Sequence, residues 1–404
     1  MTFIKRVCEG LKKHSSIIVA LFLVMFGYLL IHDLTGGTLF HHSVLDSYTL
    51  QARAWLNGDV YLRDGQNYGW LELAIFHGKY YVSFPPLPTV PMIPLVLIFG
   101  EDTPNNILVA LYTIIAFIGV YAAFRIKKTD QTHSVFWAVL IIFATNMMEI
   151  STYGGVWLQA QTLNMALLVW GVYFAIKQKR TMSLIMFALA VGCRPFSIWY
   201  IPVALLYFLW TDEDLKIKNY IVPIFSALLI GAAYAWYNYI RFGNPIEFGH
   251  NYLPEFTNSD NGQFHISYLW NNLRNIFMRP VKILPSGELD FPMFDGFMFY
   301  VANPIFIVWL VRFIRDIIKK NITLPMVTIC VGLVINLICL CLHKTFGGWG
   351  FGARYTLDLV PYVLFYLLLS GNNRPNILTK ALCGFGLLFN TYGMLFMRLY
   401  DKLN

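Results

Sequence analysis

Three charged residues sit at the edges of long apolar runs, where a charge calls for a reason. Asp46 lies in FHHSVLDSYTLQARAWLNGDV (Phe40–Val60), just after the first apolar run. A carboxylate there can take the proton from a hydroxyl as it attacks an electrophilic carbon. It can equally cap the next helix by accepting backbone N–H groups, and the two roles are compatible. Arg194, in GCRPF, is embedded in apolar sequence. An arginine at membrane depth costs about 2.5–3.5 kcal/mol, so it implies an anionic partner, either a protein carboxylate or a ligand phosphate. Arg354 follows FGGWGFG, four glycines in seven residues. A guanidinium beside glycine backbone amides suits a phosphate oxygen, the simpler alternative being that it snorkels to the interface. ELAIFHGKYYVSFPP (Glu72–Pro86) adds His77, Lys79, Tyr80 and Tyr81, which serve either as ligands or as an ordinary turn at HGK with interfacial tyrosines.

The elements that must position these residues follow from composition. The 404 residues are 57% hydrophobic and 13% charged, against about a quarter charged in soluble domains. The chain reads as an all-α, multi-pass membrane protein. Its net charge of +8 is spread in small groups between apolar runs, the pattern of cytoplasmic loops, and nucleic acid is not an expected partner. The six cysteines form no CxxC pair, which argues against a disulfide framework or a metal knuckle.

Spans of about 20 apolar residues are predicted to begin near Ser16, Asn105, His133, Gly155, Met182, Phe196, Asn219, Gly296, Thr323, Tyr355 and Ile377. This makes about eleven, with Met182–Trp210 either two short helices or one broken one. Pro85–Gly100 is not counted, because its prolines would leave backbone groups unsatisfied in hydrocarbon. It reads as a juxtamembrane or re-entrant segment. Leaving it out collects RIKK (Arg125–Lys128), KQKR (Lys177–Arg180), Arg312, Arg315, Arg374 and Lys380 on one side, together with Lys5, Arg6, Lys12 and Lys13 of the N-terminus. The positive-inside rule then puts the N-terminus in the cytoplasm, with the first helix retained, and the C-terminus outside.

Residues 1–404 are expected to form one transmembrane domain, with juxtamembrane helices in the outer loops 36–105 and 241–295. Leu45, Tyr48, Ala52, Trp55 and Leu56 make Ser47–Asn57 an amphipathic helix lying in the interface. Leu269, Leu273, Ile276 and Phe277 do the same for Ile266–Pro280. Every unusual motif falls on the outer side.

Taken in order, the outer Asp, GKYYVSFPP, the mid-chain RP, RFGNPIEFGHNY, DFPMF and GGWGFGARYTLDLVP resemble the GT-C superfamily of polyprenyl-phosphate-sugar-dependent glycosyltransferases. The resemblance is nearest to bacterial relatives of the dolichyl-phosphate-mannose protein mannosyltransferases, glycosyltransferase family 39. It implies inverting transfer of a sugar from a polyprenyl-phosphate donor to a hydroxyl of a glycan, lipid or protein acceptor, on the outer face of the inner membrane. Asp46 would be the catalytic base or acceptor-positioning group. Many relatives carry a second acid next to it, where this chain has Ser47, and Glu72 is the possible second acid. Arg354 first, then Arg194 and Lys79, would hold the lipid phosphate, whose growing charge needs fixed cations. His77, Tyr80, Tyr81, Trp349 and His250 would pack the substrate. No metal is required by this chemistry, although a divalent ion is compatible with it. Two other classes stay open: an outer-face polymerase or ligase using a pyrophosphate-linked donor, and a lipid or solute transporter. A transporter would show inverted halves, and none is seen in the sequence.

Overall fold

The structure, a computed structural model, describes residues 14–212, 216–371 and 373–403. The basic N-terminal residues Lys5, Arg6, Lys12 and Lys13, and Cys8, lie outside the described residues, so the expected cytoplasmic N-terminus rests on sequence alone.

Helices occupy the predicted apolar runs. Among the described residues, besides short helical turns at Pro254–Thr257 and Phe299–Ala302, they are α1 (Ser15–Leu34), α2 (Ser47–Leu56), α3 (Thr89–Phe99), α4 (Asn105–Ile126), α5 (Gln131–Ala138) and α6 (Met147–Ile150). They continue as α7 (Val156–Ile176), α8 (Arg180–Val191), α9 (Tyr200–Thr211), α10 (Lys218–Phe242) and α11 (Ile266–Met278). The last four are α12 (Ile305–Ile318), α13 (Leu324–Cys341), α14 (Val360–Leu369) and α15 (Ile377–Leu403). Five of these, at Ser15–Leu34, Asn105–Ile126, Lys218–Phe242, Leu324–Cys341 and Ile377–Leu399, are long and apolar enough to cross a membrane by themselves. The chain is a multi-pass membrane protein.

Met182–Trp210 resolves into two short antiparallel helices. Arg180 at the start of α8 pairs with Asp212 at the end of α9 at 2.6 Å, and Gln178 donates to the Thr211 hydroxyl at 3.1 Å. The start of α8 and the end of α9 therefore lie together, and Cys193-Arg194-Pro195 forms the tip at the other end of the pair. The physical cause is Pro195, which cannot continue a helix and pushes Arg194 into extended backbone (φ −143°, ψ 112°).

α14 is buried over nearly its whole length, as expected for a helix that is apolar all round. α7 packs between α4 and α8, and α8 in turn packs against α10. Tyr200 stacks on Tyr362 at 3.8 Å between ring centroids, joining α9 to α14. Lipid tails are as apolar as these side chains, so close packing and buried hydrogen bonds, rather than the hydrophobic effect, must hold such contacts together. α7 illustrates this with Gln159, Gln161, Thr162 and Asn164, all buried.

The two juxtamembrane helices form, but sit differently from the simple amphipathic expectation. α2 buries the polar Ser47, Thr49 and Gln51 as well as Tyr48 and Ala52, while Leu56 is exposed. It is docked on protein instead of lying free in the interface. The Thr89 hydroxyl of α3 donates to Gln51 Oε1, and Gln51 Nε2 and Trp55 Nε1 both donate to the Tyr237 hydroxyl of α10. α11 turns Leu269, Asn272, Leu273 and Ile276 toward the bundle, with Phe277 on the outside. HGK is a tight hairpin turn between β1 (Leu73–Phe76) and β2 (Lys79–Val82), with His77 and Gly78 both at positive φ.

Candidate active site

One end of the bundle collects the segments that follow α1, precede α4 and α7, tip the α8–α9 pair, and join α13 to α14. Val156 N–H at the head of α7 donates to Leu45 O at 3.0 Å, and Leu87 N–H donates to Gly192 O at 2.9 Å. Asp46 thus arrives beside the first turn of α7. It is the N-cap of α2: Oδ1 accepts from Tyr48 N–H at 2.9 Å and Oδ2 from the Thr49 hydroxyl at 2.6 Å. The residue is 2% exposed. The capping geometry is therefore fact, and each oxygen still has a second acceptor site.

Glu72 stands on the other side of α7. Its Oε2 accepts from the Trp157 indole at 3.0 Å. The surrounding protein raises its pKa, which the Trp157 hydrogen bond and the Arg354 charge partly offset. A cleft of about 400 Å³ opens beside it, walled by Gln66, Tyr68, Trp70, Tyr80 and Glu255. Trp70 is 60% exposed, and its indole donates to Val44 O, two residues before Asp46. Leaving water disfavours the charged carboxylate, which keeps a proton-accepting group closer to neutral pH.

Arg354 is buried. Its Nε donates to Gly347 O, and its guanidinium carbon lies 5.9 Å from the Trp157 ring and 5.7 Å from the Tyr355 ring. Nη1 is buried and makes no hydrogen bond within the protein. The glycine loop serves it in a way the sequence does not reveal. The N–H groups of Phe346 and Gly348 donate to Asp295 Oδ1, and that of Gly350 donates to Met293 O. Those amides are occupied, so the loop aims the arginine through a carbonyl and does not present a row of donors to a ligand. Gly347, at φ +122°, is needed here: a Cβ would come within 2.9 Å of Arg354 Cγ.

Arg194 has the protein carboxylate as its partner. Its Nε meets Asp358 Oδ2 at 2.5 Å, and Asn164 Nδ2 donates to Asp358 Oδ1 at 3.3 Å. Its guanidinium also lies over Tyr355, 4.2 Å from the ring centroid, so both arginines approach the same ring. Tyr48, next to Asp46, is within electrostatic reach of Arg194.

Glu149 was missed at the sequence level. Oε1 pairs with Arg398 at 2.7 Å, while Oε2 is buried without a protein partner, near Gly350. It follows a wide turn at the end of α5, where Ala144 N–H reaches back five residues to Val139 O at 3.0 Å, a bulge found frequently at functional sites. Its signal was a lone acid in the apolar run ATNMMEI. Asp358 and Asp295 were missed as well, since nothing local marks them.

The remaining sequence candidates are dispersed. Tyr80 lines the cleft with Glu72. Lys79 lies over the Tyr61 ring at 4.5 Å, and His77 packs its edge on Phe76 at the hairpin turn. Tyr81 is buried against Phe242. His250 Nδ1 donates to Ser83 O at 2.7 Å, and burial lowers its pKa. Trp349 is 56% exposed at the loop tip. Among the described residues, no group of three or more His, Cys, Asp or Glu gathers as a metal cage.

No family model matches this chain, and no curated protein matches it by sequence. Solved structures do match. ArnT from Cupriavidus metallidurans, bound to undecaprenyl phosphate, superposes with a TM-score of 0.52 at 12% identity, over 87% of this chain and 59% of that one. The Archaeoglobus fulgidus oligosaccharyltransferase in its apo form superposes with a TM-score of 0.50 at 13% identity, over 95% of this chain and 56% of that one. The chain shares the fold of these structures. It spans just under three-fifths of the length of these neighbours. The cluster described above gathers at one end of the helical bundle, with Asp46 on the segment after the first described helix.

Proposed function

We propose that the chain is a glycosyltransferase that moves a sugar from a polyprenyl-phosphate donor to a hydroxyl acceptor, at the bundle end carrying Asp46, Glu72 and Arg354. The observation that carries this reading is Arg354: a buried guanidinium, aimed by Gly347 O, with Nη1 left without a protein partner. A lipid phosphate supplies the missing acceptor. The bundle end that holds Arg354 also brings two carboxylates to α7, which suits proton removal from an acceptor.

The step balances as follows. The acceptor oxygen forms a bond to the anomeric carbon and gives up its proton to a carboxylate. The bond from that carbon to the phosphate oxygen breaks, and the electron pair leaves with polyprenyl phosphate. Displacement from the opposite face inverts the anomeric centre. Arg354 stabilises the negative charge that grows on the leaving phosphate, and such fixed charges are effective because they need not reorganise. Asp46 serves as base or acceptor-positioning group. Glu72 is the second reading for the base, favoured by its place on the cleft and its raised pKa. The cleft walled by Trp70, Tyr68 and Tyr80 would take the acceptor, aromatic faces packing against sugar rings.

With Pro85–Gly100 outside the membrane, the short basic loops fall together at the opposite end, which puts the reacting end on the outer face of the inner membrane with about eleven spans. Incubating the purified protein with polyprenyl-phosphate sugars and an acceptor glycan should release polyprenyl phosphate. No release from any such donor would reject the reading, and release only from pyrophosphate-linked donors would assign the polymerase or ligase class.

A further inference from the structure

Sugar transfer as written above gives Glu149 no task, yet this carboxylate is one of two acidic neighbours of Arg354. Trp157 links Arg354 to Glu72: its indole donates to Glu72, and its ring lies 5.9 Å from the guanidinium carbon. Gly350 links Arg354 to Glu149. A Cβ at Gly350 would lie 3.8 Å from Arg354 Cδ and 3.8 Å from Glu149 Oε2, its nearest neighbours beyond the adjoining residues. The space beside Gly350 is therefore open toward both groups. Glu149 is held firmly there. Asn146, one turn before it, donates its N–H to Asn303 Oδ1 at 3.1 Å, and Thr391 of α15 donates to Met148 Sδ at 3.3 Å. Arg398, also on α15, lies over the Tyr153 ring at 4.8 Å.

Arg354 and Glu149 lack opposite kinds of partner among the described residues. Arg354 Nη1 is a buried donor without an acceptor. Glu149 is 3% exposed; Oε1 accepts from Arg398 Nη2 at 2.7 Å, and Oε2 is a buried acceptor without a donor. Arg398 Nε, on the same edge of its guanidinium as Nη2, is buried without a partner as well. Charged groups buried and left unmet are costly, so a ligand that satisfies them is favoured. A phosphate answers Arg354, but it only accepts and does not answer Glu149 Oε2. A hydroxyl does both: it donates to Oε2 and accepts from Arg398 Nε. A glycosyl phosphate carries its ring hydroxyls a few bonds from the phosphorus, whereas the isoprene units on the other side of the phosphate carry none. We infer that Glu149, completed by Arg398, binds a ring hydroxyl of the sugar being transferred, a role that rests on reading Arg354 as the donor-phosphate residue. Such a contact selects the sugar, because a donor lacking that hydroxyl leaves the buried carboxylate unpaired.

The test titrates the full-length protein in detergent with undecaprenyl phosphate, either bare or carrying glucose, mannose or arabinose. The wild type is expected to bind at least one glycosylated lipid about tenfold more tightly than the bare lipid. Glu149→Gln should abolish that preference and bind the bare lipid as the wild type does, whereas Arg354→Ala should weaken every lipid. Gly350→Ala changes no charge and sets a methyl group in the open space, so it should lose the preference too. It decides the matter if Glu149→Gln fails to fold. A Glu149–Arg398 pair that merely ties α6 to α15 would lower the melting temperature on substitution and leave the ratio of the two affinities unchanged. Equal binding of bare and glycosylated lipids by the wild type, or a preference kept in the folded variants, would overturn the role of Glu149 and leave the phosphate reading of Arg354 standing. No binding of any of these lipids would overturn both.

Discussion

Asp46 combines a structural and a proposed chemical task in one carboxylate, and the two can be separated by substitution. Asparagine keeps an acceptor for the Tyr48 amide, so Asp46→Asn should leave the melting temperature nearly unchanged while transfer falls by roughly 10²–10⁴-fold, the usual worth of a positioned base. Polyprenyl phosphate release and a thermal melt check both halves. Activity within a few-fold of wild type would move the base role to Glu72. That residue has its own signature: a carboxylate held above the ordinary glutamate range should place the acid limb of kcat/KM above that range, and Glu72→Gln should remove the limb. The sign for stability runs the same way, because a raised pKa means the folded state holds the proton more tightly. Its contribution is present at low pH and is lost as pH rises through the shifted value. Arg354→Ala should weaken donor binding at least tenfold while the acceptor KM changes little. Equal effects on both substrates would reject the phosphate role. Arg194 is different in kind. Arg194→Gln leaves Asp358 buried without its countercharge and should cost about 3–5 kcal/mol of stability, as seen when one partner of a buried pair is removed.

The glycine loop and the α8–α9 pair show how elements convert these residues into a site. Four glycines in FGGWGFG looked like a row of amide donors, yet Asp295 and Met293 O occupy the amides of residues 346, 348 and 350. What the loop contributes is the Gly347 carbonyl and the close approach of its α-carbon to Arg354. Gly347→Ala alters no charge but adds a Cβ at 2.9 Å from Arg354 Cγ, on a backbone at φ +122°. It should therefore lower donor affinity in the same direction as Arg354→Ala, with an added loss of stability on the order of 1 kcal/mol or more. Donor binding by titration and a melt measure the two effects. The α8–α9 pair matters for the same reason. Pro195 breaks the apolar run at the one place where Arg194 can turn inward to Asp358, and the Arg180–Asp212 contact closes the other end.

For the whole molecule, the separation of ends is the feature that ties fold to function. Carboxylates, arginines and aromatic cleft walls lie at one end, and Arg312 and Arg315 of α12 at the other. In intact cells, a cysteine placed at the exposed Asp260 should react with a membrane-impermeant thiol reagent, and one at Lys320 should not. Labelling in the reverse pattern would invert the proposed orientation. Membrane residence, most of the apolar helices and the interruption at Cys193–Pro195 were legible in the sequence, because run length and prolines act locally; the spans expected from Gly296 and Tyr355 begin as helices only at Ile305 and Val360. So were Asp46 as a cap and Arg354 as an unusual cation. Glu149, Asp295 and Asp358 were not legible as site residues, since what distinguishes them is a partner 51 or more residues away in the chain. Sequence alone thus determined that the chain is a multi-pass membrane protein and which unusual charges border its apolar runs. Which of those charges are neutralised by the protein, as at Arg194, and which keep a buried donor without a protein partner, as at Arg354, was decided by tertiary packing. A buried charge is set by its nearest opposite charge in space, and chain order does not fix that distance.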